Sequence, residues 1–308
     1  MKRVFLLVIM VCCLVMSFAQ QKKIATKTTK EPAGEEMYQK AFDYLRGENG
    51  LPVDTVKAIE LYKEAAAMGY APAQYETYVI YYLEGQKSLA LEWLLKAANN
   101  HYGKACERLF NKYLEGDDVK KDLSESIKWL KKGAESGYAD CQDLLGQEYY
   151  RGYYELGLPK DGRLAEYWLG KAAAQNHDHA MTMLAYMYDE GKLVKRDIRK
   201  ANELYLKAAE LGNGEAAYNY AYAYQVGDGV DVDKIMAFKW MKKSAELGHI
   251  QAKLELAYMF ATGKGCDKNT DAARYWWGLV AKDEKASEED RKGAEYNISL
   301  LDQHIEIE

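Results

Sequence analysis

Along most of this chain large and small apolar residues recur at spacings of three, four and seven, the period of a helical face rather than of a strand. The pattern comes in units. A glycine closes an apolar helical stretch at Gly47, Gly85, Gly116, Gly152, Gly191, Gly227 and Gly263. Successive gaps are 38, 31, 36, 39, 36 and 36 residues. Three residues before each glycine stands an aromatic: Tyr44, Tyr82, Tyr113, Tyr149, Tyr188, Tyr224 and Phe260.

The second half of each unit repeats as closely. Asp54, Asp122, Asp161, Asp197 and Asp233 stand where a helix should start, with Gln86 and Asn269 at that place in the other two units. A short acidic or amide side chain there accepts hydrogen bonds from the unpaired amides of the first turn. Four residues on comes a small residue: Ala58, Ala90, Ser126, Ala165, Ala201, Ala237 or Ala273. Three further on is a large one: Leu61, Trp93, Trp129, Trp168, Leu204, Trp240 or Trp276. A small pair such as Ala65-Ala66, Ala97-Ala98, Ala172-Ala173, Ala208-Ala209 or Ser244-Ala245 follows. Gly69, Gly137, Gly212 and Gly248 then end the helix, as residues free to turn left-handed do.

Each unit therefore reads as helix, glycine-bearing loop, helix and turn. One such hairpin cannot bury its own apolar stripe, so neighbours must stack, with alanines letting backbones approach and rings filling the gaps. Two units depart from the pattern: the second has almost no loop between its helices, and the fourth carries extra residues around Tyr153 to Pro159.

The run from Ala180 to Gly212, whose core reads L-A-Y-M-Y-D-E-G-K-L-V-K-R-D-I-R-K-A-N-E-L-Y-L-K-A-A-E-L-G from Leu184 on, closely resembles a Sel-one-like repeat, a relative of the tetratricopeptide repeat with a longer interhelical loop. The resemblance covers about Glu35 to Ala281. It implies an all-α, right-handed α/α superhelix of about seven helix-turn-helix repeats that scaffolds protein complexes or holds peptide ligands. The tail departs from the pattern: Ser287 with Asp290 three residues later reads as a capping box that opens a terminal capping helix. The expected organisation is a signal peptide over 1–19, a flexible polar lead-in over 20–34, the solenoid over 35–284 and the capping helix over 285–308.

Composition sharpens this picture. Only 4 prolines against 26 tyrosines, with 48% hydrophobic residues, favour a packed helical fold over strands or disorder. The net charge of -5 argues against nucleic-acid binding, which rests on a basic surface. Lys2 and Arg3 precede an uncharged apolar run from Val4 to Met16, and Ser17-Phe18-Ala19 offers small residues to a signal peptidase. The expectation is export to the periplasm or beyond, without a membrane span once the signal is cleaved. Cleavage removes two of the 5 cysteines and two positive charges, leaving Cys106, Cys141 and Cys266, an odd count in no zinc-binding spacing.

Candidate chemistry is sparse. The sequence contains no S-x-x-K, G-x-S-x-G, H-E-x-x-H or phosphate-loop signature, so no catalytic residue is assigned. His177-Asp178-His179 is the best metal candidate, but it falls in an inter-unit turn where polar residues are expected anyway, and no metal or cofactor is assigned. Asp228 and Asp231, with Asp233, lack the glycine spacing of a calcium loop. Cys141 takes the small position filled elsewhere by Ala180, Ala216 and Ala252, and Cys266 a slot filled by valines, which reads as core packing. Some secreted relatives of the resembled family are cysteine-rich, with a disulfide in each repeat, and are linked to penicillin binding or β-lactam hydrolysis; this chain lacks their paired cysteines.

One row of residues suggests a binding surface. Tyr186, Tyr222 and Tyr258 lie five before their loop glycines, about 160° around the helix from the aromatic set at three before. If that set faces the core, the row faces outward from the first helices, and Tyr218 lies near the same face. Tyrosine offers large, stiff area with one hydroxyl. The sequence thus reads as a non-enzymatic scaffold of the cell envelope that binds a protein or peptide partner. The alternatives are a cell-wall or β-lactam-acting enzyme, or a purely structural envelope component. Oligomeric state is left open.

Overall fold

A computed structural model describes residues 33–153, 155, 157–303 and 305. The expected signal peptide lies outside the described residues, as does most of the expected lead-in. Fifteen helices follow one another with no strand among the described residues. They pair as α1 (Ala33–Arg46) with α2 (Thr55–Ala67), α3 (Ala71–Leu83) with α4 (Lys87–Asn99), and α5 (Gly103–Glu115) with α6 (Leu123–Glu135). The pairing continues with α7 (Ala139–Arg151) and α8 (Gly162–Ala173), α9 (Asp178–Glu190) and α10 (Ile198–Glu210), α11 (Gly214–Val226) and α12 (Lys234–Glu246), and α13 (Ile250–Thr262) and α14 (Thr270–Ala281). The last helix, α15 (Glu288–Asp302), packs on α14. Backbone contacts divide the chain into two compact units, one ending at Cys141 and the other beginning at Gln142. Unit 1 holds α1–α6 and the first residues of α7; unit 2 holds the rest of α7 and the helices after it.

Local chemistry sets the ends of the helices. All seven loop glycines have positive φ. The carboxylates of Asp54, Asp122, Asp161, Asp197 and Asp233 and the amide oxygen of Asn269 each accept one or two amides of the helix they open. Each of these residues also donates its own backbone N–H to the carbonyl of the aromatic before the loop glycine: Asp54 to Tyr44, Asp122 to Tyr113, Asp161 to Tyr149, Asp197 to Tyr188, Asp233 to Tyr224 and Asn269 to Phe260, all at 2.8–3.0 Å. One residue thus satisfies an orphan amide of the second helix and an orphan carbonyl of the first. Gln86 does not fit this scheme. It opens α4 without a side-chain cap, and its amide instead donates to Glu84 at 2.8 Å. The connection after α3 is too short to bring residue 86 into the extended conformation that the aspartates adopt.

The turns between hairpins repeat equally well. Gly69, Gly137, Gly212 and Gly248 lie left-handed as the sequence predicts, and His101 (φ 61°) and Asn176 (φ 64°) take the same place in the other two turns. In all six the next residue donates its N–H back to the helix: Tyr70 to Ala65, Tyr102 to Ala97, Tyr138 to Gly133, His177 to Ala172, Asn213 to Ala208 and His249 to Ser244. Ser287 opens α15 as expected, with the Asp290 N–H donating to its hydroxyl at 3.0 Å and the Ser287 hydroxyl donating to the Asp290 carboxylate at 2.8 Å.

The core is broader than expected by one position. The residue after each predicted large one is buried in all seven second helices: Tyr62, Leu94, Leu130, Leu169, Tyr205, Met241 and Trp277. Of the predicted set, Leu61, Trp129 and Trp240 are buried as well, and Trp93, Trp168, Leu204 and Trp276 are half-buried. One residue is about 100° of helix, enough to move a ring from the seam to its flank. Lysines three residues on roof three indoles of the predicted row: Lys96 over Trp93 at 4.1 Å, Lys132 over Trp129 at 5.0 Å and Lys243 over Trp240 at 4.9 Å. The extra segment of the fourth hairpin is pinned by the fully buried Leu158, which bridges back to Tyr153.

Candidate functional site

The first helices of unit 2 carry the predicted tyrosines on one register. Tyr186 on α9 and Tyr222 on α11 are 41% and 53% exposed, whereas Tyr188, two residues after Tyr186, is 5% exposed. Tyr188 is held inside by its hydroxyl, which donates to Glu166 and accepts from Lys200. Two residues are about 200° of helix, so the buried member of the pair turns the other outward. The remaining two of the four predicted tyrosines are half-buried. The Tyr218 ring lies against the His249 imidazole, with centroids 4.8 Å apart and planes at 31°. Tyr258 packs on the cluster around Ala257, Ala261 and Trp277, and Lys264 donates to its hydroxyl at 2.9 Å.

Polar groups fix part of this face. Glu190, at the end of α9, accepts from the Tyr186 hydroxyl at 2.7 Å, from the Tyr150 hydroxyl on α7, and from Lys192 at 2.6 Å. The Lys192 ammonium, with the two hydroxyls, holds its carboxyl down at about 2. The rings of Tyr150 and Tyr186 meet edge-on at 6.2 Å. Tyr222 is different: its hydroxyl has no hydrogen-bond partner among the described residues. It is a large, stiff aromatic surface left to solvent.

The histidine turn is structural at one residue and electrostatic at the other. His177 caps α9, its Nδ1 accepting the Ala180 N–H at 3.2 Å. His179 Nδ1 lies 2.8 Å from the carboxylate of the buried Asp143 on α7, which also accepts from Gln147 at 2.9 Å. The Asp143 hydrogen bond raises the His179 pKa against the opposing effect of burial. Among the described residues no group of three or more His, Cys, Asp and Glu is placed to hold a metal ion. The aspartates after α11 are engaged elsewhere: Asp233 caps α12, and Asp228 pairs with Arg196 at 2.6 Å. Cys106 and Cys141 are buried free thiols whose pKa burial raises, and Cys266, half-buried, points its sulfur at the Met259 carbonyl at 3.5 Å.

Unit 1 contains a cluster that the sequence reading did not single out. Tyr38 on α1 packs against Tyr62 on α2 at 5.3 Å, and Tyr75 on α3 against Tyr102 in the turn before α5 at 5.4 Å, and the charge of Glu76 on α3 acts on all four. A signal existed. Nine residues before the loop glycines, on the same helical face as the position five before, stand Tyr38, Glu76, Glu107, Asp143, Thr182, Tyr218 and Leu254. A carboxylate at three consecutive places on a half-buried face is unusual enough to mark.

Comparison with known proteins agrees with this architecture. The profile of the Sel1 repeat matches residues 36–70, 81–102, 103–138, 139–177, 178–213, 214–249 and 250–282. Among solved structures, the chain is similar to a protective antigen present in uropathogenic Escherichia coli strains and displaying an SLR fold: 28% identity, TM-score 0.73, covering 88% of this chain and 57% of that one. It is similar also to a Sel1 repeat protein from Oxalobacter formigenes, with 27% identity and TM-score 0.59, covering 73% of this chain and 99% of that one. Among curated proteins, chitin synthase regulatory factor 3 of Schizosaccharomyces pombe is 29% identical over 212 residues, covering 54% of this chain and 23% of the relative. Chitin synthase regulatory factor 4 of the same yeast is 27% identical over 189 residues, covering 56% of this chain and 30% of the relative. The chain thus spans about a quarter to a third of the length of these two relatives. With seven matched repeats, each a helix hairpin in the structure, this chain belongs to the Sel1 repeat family, helical solenoids typical of protein–protein interaction.

Proposed function

We propose that this chain is a non-enzymatic scaffold of the cell envelope that binds a protein or peptide partner on the first-helix face of unit 2. Tyr186 and Tyr222 are its main contacts, with Tyr218 and Tyr258 flanking them. The observation that carries the reading is the exposure of Tyr186 and Tyr222 in one register beside buried neighbours. Rigid aromatics of this kind lose little entropy on contact and dominate binding surfaces. Glu190, already neutralised by Lys192 and two hydroxyls, fixes the orientation of Tyr186 before any partner arrives. Yeast proteins named as regulators of chitin synthase share these repeats, which favours a scaffold that acts through another protein. The apolar run from Val4 to Met16 supports export.

A photo-crosslinking residue placed at position 186 or 222, with a control at the exposed Glu203 on α10, tests the surface in cells. The expected outcome is one partner captured from 186 and 222 and lost from 203. Equal capture from all three positions refutes the surface. Export is read separately, from the mature N-terminus by mass spectrometry: an uncleaved chain in the cytoplasm refutes the envelope reading and leaves the binding surface standing.

A further inference from the structure

Three consecutive first helices of unit 2 open on a side chain that accepts an amide of their own first turn. His177 Nδ1 accepts from Ala180 at 3.2 Å, Asn213 Oδ1 from Ala216 at 2.9 Å, and His249 Nδ1 from Ala252 at 3.2 Å. The three residues hold the same place in their turns, each donating its own N–H back to the preceding helix, at Ala172, Ala208 and Ser244. The backbone is alike at all three, and only the acceptor differs. An amide oxygen keeps its lone pairs at every pH. The Nδ1 of histidine accepts only while it carries no proton.

The surroundings of His249 oppose a charge. Its Cβ lies 3.5 Å from the point that a methyl group on Gly214 would occupy, and its half-buried ring rests on that of Tyr218 at 4.8 Å. It opens α13, where the aligned peptide dipoles disfavour a cation. From α12, the Ser244 hydroxyl is neutral and donates to the Gly214 carbonyl at 2.6 Å. On α13 itself, Lys253 is paired with Asp283 at 3.0 Å. From α11, Tyr218 offers a ring face and Glu215 a negative charge, both of which favour the imidazolium. Burial outweighs Glu215 and holds the His249 pKa below the ordinary histidine value of 6.5. His177 is placed differently, because the Asp143 carboxylate on α7 lies 4.0 Å from its Nδ1 and offsets a charge there.

We propose that His249 is an acid-sensitive cap: a proton taken from solvent onto its Nδ1 breaks the bond to the Ala252 N–H, loosens the first turn of α13 and lifts the imidazole from Tyr218. The neutral cap contributes its full stability above the unfolded value of 6.5, and that contribution is lost as pH falls through the lower folded value. Asn213 gives α11 the insensitive form of the same cap. The device operates whether or not the tyrosine row of unit 2 binds a partner.

The test follows the Ala252 amide of the intact protein by NMR from about pH 8 to about pH 5, as its protection factor against hydrogen exchange, beside the Ala216 amide. Protection at Ala252 should fall about fivefold or more as the His249 imidazole titrates, with a midpoint below 6.5, while protection at Ala216 holds. The Tyr218 ring resonances should move with the same midpoint. His249→Asn copies the Asn213 cap and should keep Ala252 protected throughout. The titration of the unmodified protein needs no variant, so a His249→Asn protein that fails to fold leaves the decision to it. Three results overturn the acid-sensitive cap. They are Ala252 protection unchanged through the His249 midpoint, equal loss at Ala252 and Ala216, and the same acid loss in a folded His249→Asn protein.

Discussion

The seam between consecutive hairpins offers a sharp test of how this solenoid packs. Where the second helix of one hairpin meets the first helix of the next, small residues face each other: Ala65 with Ala73, Ala97 with Ala105, Ala172 with Ala180, Ala208 with Ala216 and Ser244 with Ala252, all fully buried. In unit 1 the pair at this place is Gly133 and Cys141, one residue smaller and one larger. A methyl group added to Gly133 stands 2.4 Å from the Cys141 sulfur and 3.0 Å from Cys106 Cβ. Carbon and sulfur do not approach so closely, and overpacking of this kind costs about 1–3 kcal/mol. Replacing a glycine inside a helix by alanine, here in its last turn, also gains about 1 kcal/mol of helix propensity. Gly133→Ala alone therefore destabilises by roughly 0–2 kcal/mol, the difference of those two effects. With Cys141→Ala the sulfur is gone and the pair becomes the alanine pair of the other seams. The propensity gain is the same in both backgrounds and cancels in a double-mutant cycle. The coupling energy is then the sulfur's share of the clash, about 1–3 kcal/mol in favour of the double variant, while the tighter Cys106 Cβ contact stays in both backgrounds and cancels. Denaturant melts of the four proteins, followed by far-ultraviolet circular dichroism, give the cycle. Additivity within about 0.5 kcal/mol would refute the size-complementary seam.

Two further outcomes follow from the local chemistry. Asp233 accepts the amides of Ile235 and Met236 at 2.9 and 3.0 Å, so Asp233→Ala should destabilise unit 2 by about 1 kcal/mol, read as a lowered melting temperature; an unchanged melt rejects the capping role. The His179 pKa is raised by the Asp143 carboxylate, which means that this pair stabilises the fold below the unfolded value of 6.5 and is lost as pH rises through the folded one. NMR titration of the His179 imidazole should give a midpoint above 6.5 that drops in Asp143→Asn; the same midpoint in both proteins removes the pair as a source of pH dependence.

Much of the architecture was legible in the order of residues because it rests on interactions a few positions long. The loop glycines, the capping aspartates and Asn269, the Ser287 box and the small pairs all act within one turn of helix or across one loop, and repetition multiplies the signal. Gln86 shows the limit of that legibility: the residue type suited a cap, but the short connection before it denied the backbone conformation. What the tertiary structure alone decided lies between helices some thirty residues apart. It added to the predicted row, of which Leu61, Trp129 and Trp240 are buried, the residue after it in all seven second helices, since both rows satisfy the same helical period and only the neighbouring hairpin distinguishes seam from flank. It left Tyr186 and Tyr222 bare while half-covering Tyr218, whose ring meets the His249 imidazole, and Tyr258, which packs on the cluster around Trp277. It brought the Tyr38 ring against those of Tyr62 and Tyr70, and the Tyr75 ring against that of Tyr102. A pattern read along the chain specifies which way a side chain leaves its own helix. What that side chain meets depends on the stacking of hairpins, where each contact joins residues whose separation in sequence carries no local signal.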